Sequence, residues 1–211
     1  MISLFKGLFS ATKAPAMLST FEERKCIFFH IPKTAGMSVS SALFGNIEWG
    51  HRTATFYINY FGQAQFDLFY KFTVVRNPYD RLYSAFTFLK NGGINQQDST
   101  FSKQYLSSYP SFDDFVMNGL NDEVIKNWVH FLPQHYFVTD KSGSLVVDFV
   151  AKMEYLHTDF NTICKSLNIS AELETKNQTK HKKEMVLTDE VKSVIKAHYI
   201  KDFTLFYPDL S

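Results

Sequence analysis

The stretch KCIFFHIPKTAGMSVSSALFG, residues 25–45, decides the fold of this chain. Its opening segment KCIFFHI is a short apolar run of β-type residues and predicts a buried strand. IPKTAG follows as a tight turn. MSVSSALFG predicts a helix that ends at Gly45, because glycine is common just after helix ends. The order is therefore strand, turn and helix.

A second unit of the same kind is YKFTVVRNPYDRLYSAFTFLKNGG, residues 70–93. Residues 71–75 predict a strand, and Asn77-Pro78 ends it because the residue before a proline resists the α region. Apolar side chains at helical spacing follow from Tyr79 onward, and the NGG sequence at 91–93 ends this helix.

The rest of the chain continues the alternation of helices, loops and a strand. The segments are a helix at 53–62, a polar surface loop at 93–110, a helix from Ser111, a strand at 145–153, an amphipathic helix at 155–169, a basic loop at 176–185 and a final helix at 187–203 with Thr188 as its N-cap. Strands that alternate with helices favour an α/β fold, a P-loop-like parallel β-sheet flanked by helices on both faces.

Length and charge restrict the class of protein. The chain has 211 residues, of which 45% are hydrophobic, which suits one domain with a substantial core. We assign residues 1–22 to a loosely ordered leader and residues 23–211 to this domain. Lys and Arg total 22 and Asp and Glu total 21, so the net charge of +1 indicates no nucleic-acid partner.

The N-terminal segment and the cysteines bear on the compartment. Lys6, Lys13 and Pro15 interrupt the first residues, so no run approaches the ~20 apolar residues of a membrane span. We expect a cytoplasmic protein, with peripheral contact of this segment with a membrane as the alternative. Cys26 and Cys164 are expected to be buried thiols, with a single disulfide as the alternative. Nothing in the sequence indicates an oligomeric state.

The IPKTAG turn has the parts of a phosphate site. Backbone N–H groups at a helix start are unpaired and lie at the positive end of the helix dipole. Gly36 permits close approach of a ligand, and Lys33 adds a positive charge. Thr34 and Ser38 offer hydroxyl donors. The order differs from Walker A, where Lys follows the second glycine. An ordinary turn with a solvated lysine is the alternative.

The second turn offers a second anion site. Arg76 ends the strand at the edge where ligands of open α/β sheets bind, and Ser84 follows in the helix. A guanidinium and a hydroxyl suit a phosphate. The alternatives are that Arg76 caps a helix or pairs with Asp80 and that Ser84 only packs. Arg81 is interpreted as structural. Two phosphate sites on neighbouring strands indicate a nucleotide phosphorylated at both ends.

The two segments resemble the nucleotide-binding signatures of the sulfotransferases. FFHIPKTAGMSVSSAL and FTVVRNPYDRLYSAF are most similar to the carbohydrate branch, which includes the heparan sulfate 2-O and 6-O enzymes and many bacterial relatives. The resemblance covers roughly residues 25–208. It implies the sulfotransferase fold, PAPS (3′-phosphoadenylyl sulfate) as co-substrate, no metal, and a hydroxyl acceptor on a carbohydrate.

The resemblance also implies roles for individual residues. The first loop would bind the 5′-phosphosulfate of PAPS through Lys33, Thr34, Ala35, Gly36, Met37 and Ser38. Lys33 would stabilise the bridging oxygen as the sulfuryl group leaves, and Arg76 and Ser84 would bind the 3′-phosphate. Met37 stands where the family usually has threonine, so one side-chain donor is lost and we expect weaker binding.

Further candidates follow from the same resemblance. His51, after Gly50, would be the base that takes the acceptor's proton, because imidazole titrates near neutrality; a surface or capping histidine is the alternative. Lys180 or Lys182 in the basic loop would contact a phosphate, unless that loop is only solvated. HFLPQHYF, residues 130–137, is expected to line the acceptor cleft. For Glu154 a structural role is favoured over an acidic site role.

Two other functions compete with sulfuryl transfer. SLVVD, residues 144–148, is similar to a strand that ends in the Mg²⁺-binding aspartate of P-loop kinases and NTPases. A non-catalytic module that keeps only the nucleotide pocket is the third hypothesis, for which Met37 is the one hint. No cluster of His, Cys and carboxylates has metal-ligand spacing.

Overall fold

A parallel β-sheet forms the centre of the protein. A computed structural model describes residues 16–45, 50–173 and 185–210, and within them the sheet has three strands in the order β1 (Cys26–Phe29), β2 (Tyr70–Val75) and β3 (Phe149–Lys152). Both strand pairs are parallel, with Cys26 opposite Tyr70 and Phe72 opposite Phe149. The predicted parallel sheet is confirmed, with β2 in the middle.

Helices surround the sheet in the described ranges. They are α1 (Ala16–Arg24), α2 (Gly36–Phe44), α3 (Ala54–Phe61), α4 (Gln63–Leu68), α5 (Pro78–Lys90), α6 (Gln96–Phe101), α7 (Phe112–Asn118), α8 (Asp122–Asn127), α9 (His135–Val138), α10 (Leu156–Ser166), α11 (Asp189–His198) and α12 (Ile200–Phe206). A π-helix occupies Ser102–Leu106, and 3₁₀ turns occupy Met153–Tyr155 and Pro208–Leu210.

Two of the three strands, β1 and β2, lie inside the core. Every residue of β1 is fully buried, and β2 is buried from Lys71 to Val75. Successive side chains of a strand point to opposite faces, so continuous burial means that both faces are covered. Phe28 and Phe72 stack across the two strands with ring centroids 5.1 Å apart. The expected α/β architecture follows directly from these apolar runs.

Helix α1 belongs to this core. Met17, Leu18 and Phe21 are buried on its inner face. Residues 16–22, predicted as part of a leader, therefore lie in a helix that packs on the domain. Residues 1–15 lie outside the described residues.

The prediction of a surface loop at 93–110 is wrong. The segment contains α6 and the π-helix, and the Asn95 side chain caps α6 by accepting from the N–H of Asp98 at 2.8 Å. Phe101 and Leu106 are buried, and the Lys90 ammonium donates to the Leu106 carbonyl at 2.7 Å. The polar composition of the segment hides these widely spaced apolar anchors.

Two other element predictions need correction. The final helix is interrupted at Tyr199, whose backbone leaves the helical region with a φ of −113° and a ψ of 22°, so α11 and α12 are separate. The Tyr199 hydroxyl donates to the Phe131 carbonyl at 2.7 Å. The strand predicted at 145–153 is only Phe149–Lys152. Thr188 is confirmed as the N-cap of α11. Cys26 and Cys164 are free, buried thiols, as expected.

Candidate active site

The turn after β1 has an unusual backbone. Lys33 has a φ of 69° and Ala35 a φ of 64°, both in the left-handed region. Residues other than glycine seldom adopt this conformation, because it costs of order 1 kcal/mol per residue. Residues that do adopt it cluster at functional sites. Left-handed residues at alternate positions turn successive N–H groups toward one side, as in anion-binding nests. The backbone itself therefore suits an anion.

The side chains of the turn divide into structural and outward-facing groups. The buried Thr34 hydroxyl donates to the Ile31 carbonyl at 2.9 Å, so it tightens the turn. Ser38 is half-buried in the first turn of α2, whereas Met37 is 69% exposed. Any contribution of Thr34 to a ligand in this conformation comes from its backbone N–H.

Gly36 is required by a close contact within the protein. A Cβ atom at this position would lie 1.9 Å from Cδ2 of the His30 ring. The sequence suggested that this glycine gives a ligand access to the backbone. In the structure the neighbouring group is the imidazole of His30, the residue after β1. The contact fixes the start of α2 against the end of β1.

Two side chains hold the main chain after β2. The Gln134 amide pairs with Arg76, accepting from its N–H and donating to its carbonyl, each at 2.9 Å. Glu154 accepts from the N–H of Asn77 and from the Tyr207 hydroxyl, both at 2.8 Å. The structural interpretation of Glu154 agrees with these bonds. The role of Gln134 was not predicted.

A buried carboxylate supports this arrangement from α12. Asp202 accepts from the N–H groups of Gln134 and His135 at 2.7 and 2.9 Å, and its Oδ1 lies 2.8 Å from Nδ1 of His135. The signal in the sequence is a carboxylate on the buried stripe of α12 beside Phe203 and Phe206. Asp202 thus holds the segment that holds Arg76.

The predicted anion residues of the two turns meet. Nη1 of Arg76 donates to the Lys33 carbonyl at 3.3 Å. Burial lowers the pKa of Arg76, and the negative charges of Asp80 and Glu154 oppose this effect. Ser84 lies half-buried within α5, two turns into the helix that starts at Pro78.

Arg81 is structural, as interpreted from the sequence. It is fully buried and donates to the carbonyls of His130 and Leu132 at 3.1 and 2.7 Å. Its guanidinium also lies 5.7 Å from the ring centroid of Tyr199. These contacts tie α5 to the segment before α9.

The Lys33 side chain projects over α5. Its ammonium lies 4.0 Å from the ring centroid of Phe88, a cation–π contact. Burial lowers the pKa of Lys33, the positive charge of Arg76 lowers it further, and Asp98 opposes the change. The lysine is therefore held in place and partly desolvated.

His51 is in the tautomer that a general base needs. Its Nδ1 lies 2.9 Å from the His30 carbonyl, which can only accept, so Nδ1 carries the proton and Nε2 the lone pair. The ring packs 4.6 Å from that of His30. Burial lowers the pKa of His51, although this hydrogen bond acts in the opposite direction. The lowered pKa keeps the imidazole neutral at pH 7.

The structure brings the two predicted catalytic residues into one cluster. The charge of Lys33 acts on His51, and the ring of Phe88 contacts both Lys33 and His130. Asp98 and His130 belong to the same cluster. Asp98 was not predicted, and His130 was predicted only as part of the acceptor-cleft segment 130–137. Lys180 and Lys182 lie outside the described residues.

The aspartate of the kinase hypothesis is at the wrong edge. Asp148 directly precedes β3, whereas Lys33 and Arg76 follow their strands. It accepts from the N–H of Lys71 at 2.7 Å and pairs with the ammonium of Lys71 at 3.2 Å. Within residues 16–45, 50–173 and 185–210, no cluster of three or more His, Cys, Asp or Glu could hold a metal.

Comparison with known proteins agrees with this geometry. The model of the sulfotransferase family matches residues 17–208. The chain belongs to the sulfotransferase family. Searches of curated proteins and of solved structures gave no match to this sulfotransferase.

Family membership gives the reaction in general terms. The sulfotransferase moves a sulfuryl group to an acceptor that carries a hydroxyl, and the family generally takes the group from PAPS. Among the helices that the structure describes, none is long and apolar enough to cross a membrane.

Proposed function

We propose that this sulfotransferase moves the sulfuryl group of PAPS to a hydroxyl of a carbohydrate, by in-line transfer without a metal. The observation that carries the proposal is the bond from Arg76 to the Lys33 carbonyl. It joins anion-binding groups that follow β1 and β2 at the carboxyl edge of the sheet, where α/β proteins bind nucleotides. A donor with phosphates at both ends fits two adjacent sites of this kind.

The turn after β1 binds the 5′-phosphosulfate in this proposal. The left-handed Lys33 and Ala35 support it, because left-handed residues in a turn direct neighbouring backbone N–H groups toward one side. The Ser38 hydroxyl adds a donor, and Met37 contributes only its N–H. Arg76 and Ser84 bind the 3′-phosphate. Contacts from Lys180 and Lys182 remain predictions.

The chemistry follows from the two catalytic candidates. The acceptor oxygen forms a bond to sulfur while the bond from sulfur to the bridging phosphate oxygen breaks. Nε2 of His51 takes the proton of the acceptor hydroxyl, and the Lys33 ammonium stabilises the negative charge that forms on the leaving phosphate. Positioning and preorganised charge supply the rate enhancement.

The candidate acceptor cleft is a cavity beside the segment that follows His51. A cavity of about 650 Å³ is bounded by Thr53, which follows His51 by two residues, and by Tyr136, Thr139 and Asp140. Tyr136 is 49% exposed, and hydroxyl and aromatic groups suit the polar and apolar faces of a sugar. Of residues 130–137, His135 and Tyr136 line this cavity, and Lys33, His51 and Arg76 do not, so the cavity supports the predicted acceptor cleft for those two residues alone. A cytoplasmic location and one domain over 23–211 remain predictions.

A thermal-shift titration tests the donor. Adenosine 3′,5′-bisphosphate at one hundred times its Kd stabilises the fold by about 2.7 kcal/mol, which raises Tm by roughly 5–10 °C. EDTA leaves the shift unchanged, and ATP with Mg²⁺ does not reproduce it. A shift produced only by ATP with Mg²⁺ contradicts the proposal.

A transfer assay tests catalysis. The protein is incubated with PAPS labelled in the sulfuryl group and a panel of glycans, and labelled product is measured. Binding of the bisphosphate without transfer to any acceptor favours the non-catalytic module, for which the exposed Met37 in the donor turn is the supporting feature.

A further inference from the structure

A second histidine lies beside the candidate base. The ring of His130 is 5.8 Å from that of His51 between centroids, and 5.0 Å from the ring of Phe88. Its buried Nδ1 has no hydrogen-bond partner among the residues that the structure describes. That nitrogen faces Oδ1 of Asp98 at 3.9 Å. A polar ring therefore contacts both the base and a carboxylate.

Asp98 is built into the protein as a fixed, buried charge. The residue is 1% exposed, and its oxygens accept from the N–H of Ile94 and from Nε1 of Trp128, both at 3.1 Å. A Cβ at Gly93 would lie 2.1 Å from the Cβ of Asp98, so the preceding turn closes tightly over it. Both donors are neutral. The burial of this charge is therefore offset only when positive groups lie nearby.

The charges that face His51 have mixed signs. Lys33 and Arg52 are positive and lower the pKa of His51, whereas Asp98 is negative and raises it. Asp98 acts in the same direction on Lys33. The rings of His30 and His130 complete the surroundings, and Arg81 approaches His130 from the other side.

We propose that Asp98 and His130 are positioning residues for proton transfer. Asp98 stabilises the positive charge that forms on His51 when Nε2 takes the acceptor's proton. The neutral ring of His130 fills the space beside both groups, and by excluding water it keeps the interaction strong. No covalent step is added, since the proton taken from the acceptor stays on His51. The proposal rests on the proposed function of His51 as the base.

The pH dependence of kcat/KM tests the charge of Asp98. Asp98→Asn removes the negative charge that faces both His51 and Lys33. We expect the acid and alkaline limbs of the profile both to move to lower pH, by about 0.5–1 unit, and the maximal rate to fall about tenfold. The Kd of adenosine 3′,5′-bisphosphate stays within about threefold, because Asp98 does not belong to the donor turn. Asp98→Glu keeps the charge and restores the limbs.

A matched control separates charge from structure. Asp159→Asn changes a carboxylate that accepts from the N–H of Lys152 at 2.7 Å, away from His51. We expect both limbs to stay in place in this variant. A lower rate for Asp98→Asn at every pH with unmoved limbs overturns the proposal, since it assigns Asp98 a purely structural role.

Two further measurements protect the test. His130→Ala removes the ring that excludes water, so a tenfold slower transfer with unchanged nucleotide affinity supports the pair and a wild-type rate contradicts it. His130→Phe keeps a ring in this space and is expected to restore the rate. NMR titration of His51 needs no sulfuryl transfer. A lower pKa of His51 in Asp98→Asn supports the electrostatic pair even if PAPS is not the donor, and an unchanged pKa overturns it.

Discussion

Nδ1 of His51 donates to the backbone carbonyl of His30, the residue that follows β1. The His30 ring also contacts Gly36, and Lys33 follows His30 by three residues in the sequence. The end of β1 therefore positions His51, Lys33 and the start of α2 together. The two catalytic candidates are coupled through the backbone, although they are distant in sequence.

Lys33→Ala is expected to lower PAPS-dependent turnover by about 10²–10³-fold, because it removes preorganised charge at the leaving group. The cation–π contact with Phe88 contributes only about 1 kcal/mol, so the fold survives. Turnover and Tm are measured together. Lys126→Ala, which removes an exposed partner of Asp122, is the control and keeps full activity. Wild-type turnover in Lys33→Ala contradicts the catalytic role of Lys33.

His51→Ala is expected to lower kcat by about 10²–10⁴-fold with little change in the Kd of PAPS. In the wild type, burial lowers the pKa of His51, so its imidazole stays neutral below the ordinary imidazole range and is expected to remain active as a base there. Burial likewise lowers the pKa of Lys33, which moves loss of its charge below the ordinary lysine range. A pH–rate profile with both limbs shifted to acid checks this. Unchanged turnover in the variant removes His51 as the base.

Arg76→Gln is expected to weaken adenosine 3′,5′-bisphosphate by about 10–100-fold, the cost of a lost charge-assisted hydrogen bond. AMP, which lacks the 3′-phosphate, should bind both forms equally. Calorimetry with the two nucleotides measures the difference. Arg24→Gln, at an exposed position of α1, serves as the control. Equal losses for both nucleotides mean that Arg76 supports the fold instead of the 3′-phosphate.

Gly36→Ala is expected to abolish the nucleotide-induced rise in Tm, because the new methyl group overlaps the His30 ring and displaces the turn. Gly143→Ala is the matched control. Gly143 has a φ of 85° with open space around it, so that variant meets only backbone strain of about 1 kcal/mol. Retention of nucleotide binding by Gly36→Ala contradicts the role of this contact.

Acid is expected to destabilise the fold through buried histidines. Burial lowers the pKa of His30 and of His130 to about 3, whereas unfolded imidazoles protonate at the ordinary value. The unfolded state therefore binds more protons below pH 6.5, and stability falls as pH drops. Each histidine contributes a slope of about 1.4 kcal/mol per pH unit. The free energy of unfolding in urea is measured between pH 6.5 and 5. Its slope against pH should be smaller in His130→Gln by the contribution of about one histidine proton, and an unaltered slope contradicts this prediction.

Local patterns predict the elements that present the site. The apolar runs of β1 and β2 and the breaks at Pro32 and Pro78 give strand, turn and helix twice, and the structure agrees. Lys33 and Arg76 could be predicted as site residues because each follows a strand, and the carboxyl ends of parallel strands lie at one edge of the sheet. The left-handed φ of Lys33 has no signature in the residue type, and neither has the overlap of Gly36 with His30.

Long-range contacts were beyond local patterns. The Gln134 side chain binds the main chain of Arg76, which is 58 positions away in the sequence. Asp202 binds the N–H of Gln134, which is 68 positions away. From the sequence, an amide or a carboxylate is predicted to be exposed to solvent when its hydrogen-bond partners are backbone groups far away in the chain. Asp98 was missed because its polar neighbours predict a loop, although the segment is helical and anchored by Phe101.

The central position of β2 has a consequence for how the enzyme acquires activity. Its Thr73 and Lys71 bond to partners 44 and 77 residues away in the chain. Such closures are slow relative to local helix formation. On a ribosome, the lysine turn emerges on the order of ten seconds before the segment that carries Asp202. Through that interval the Asp202 contact that holds Gln134, and with it the main chain of Arg76, is absent, so the arrangement of the two turns is complete only after α12 has emerged.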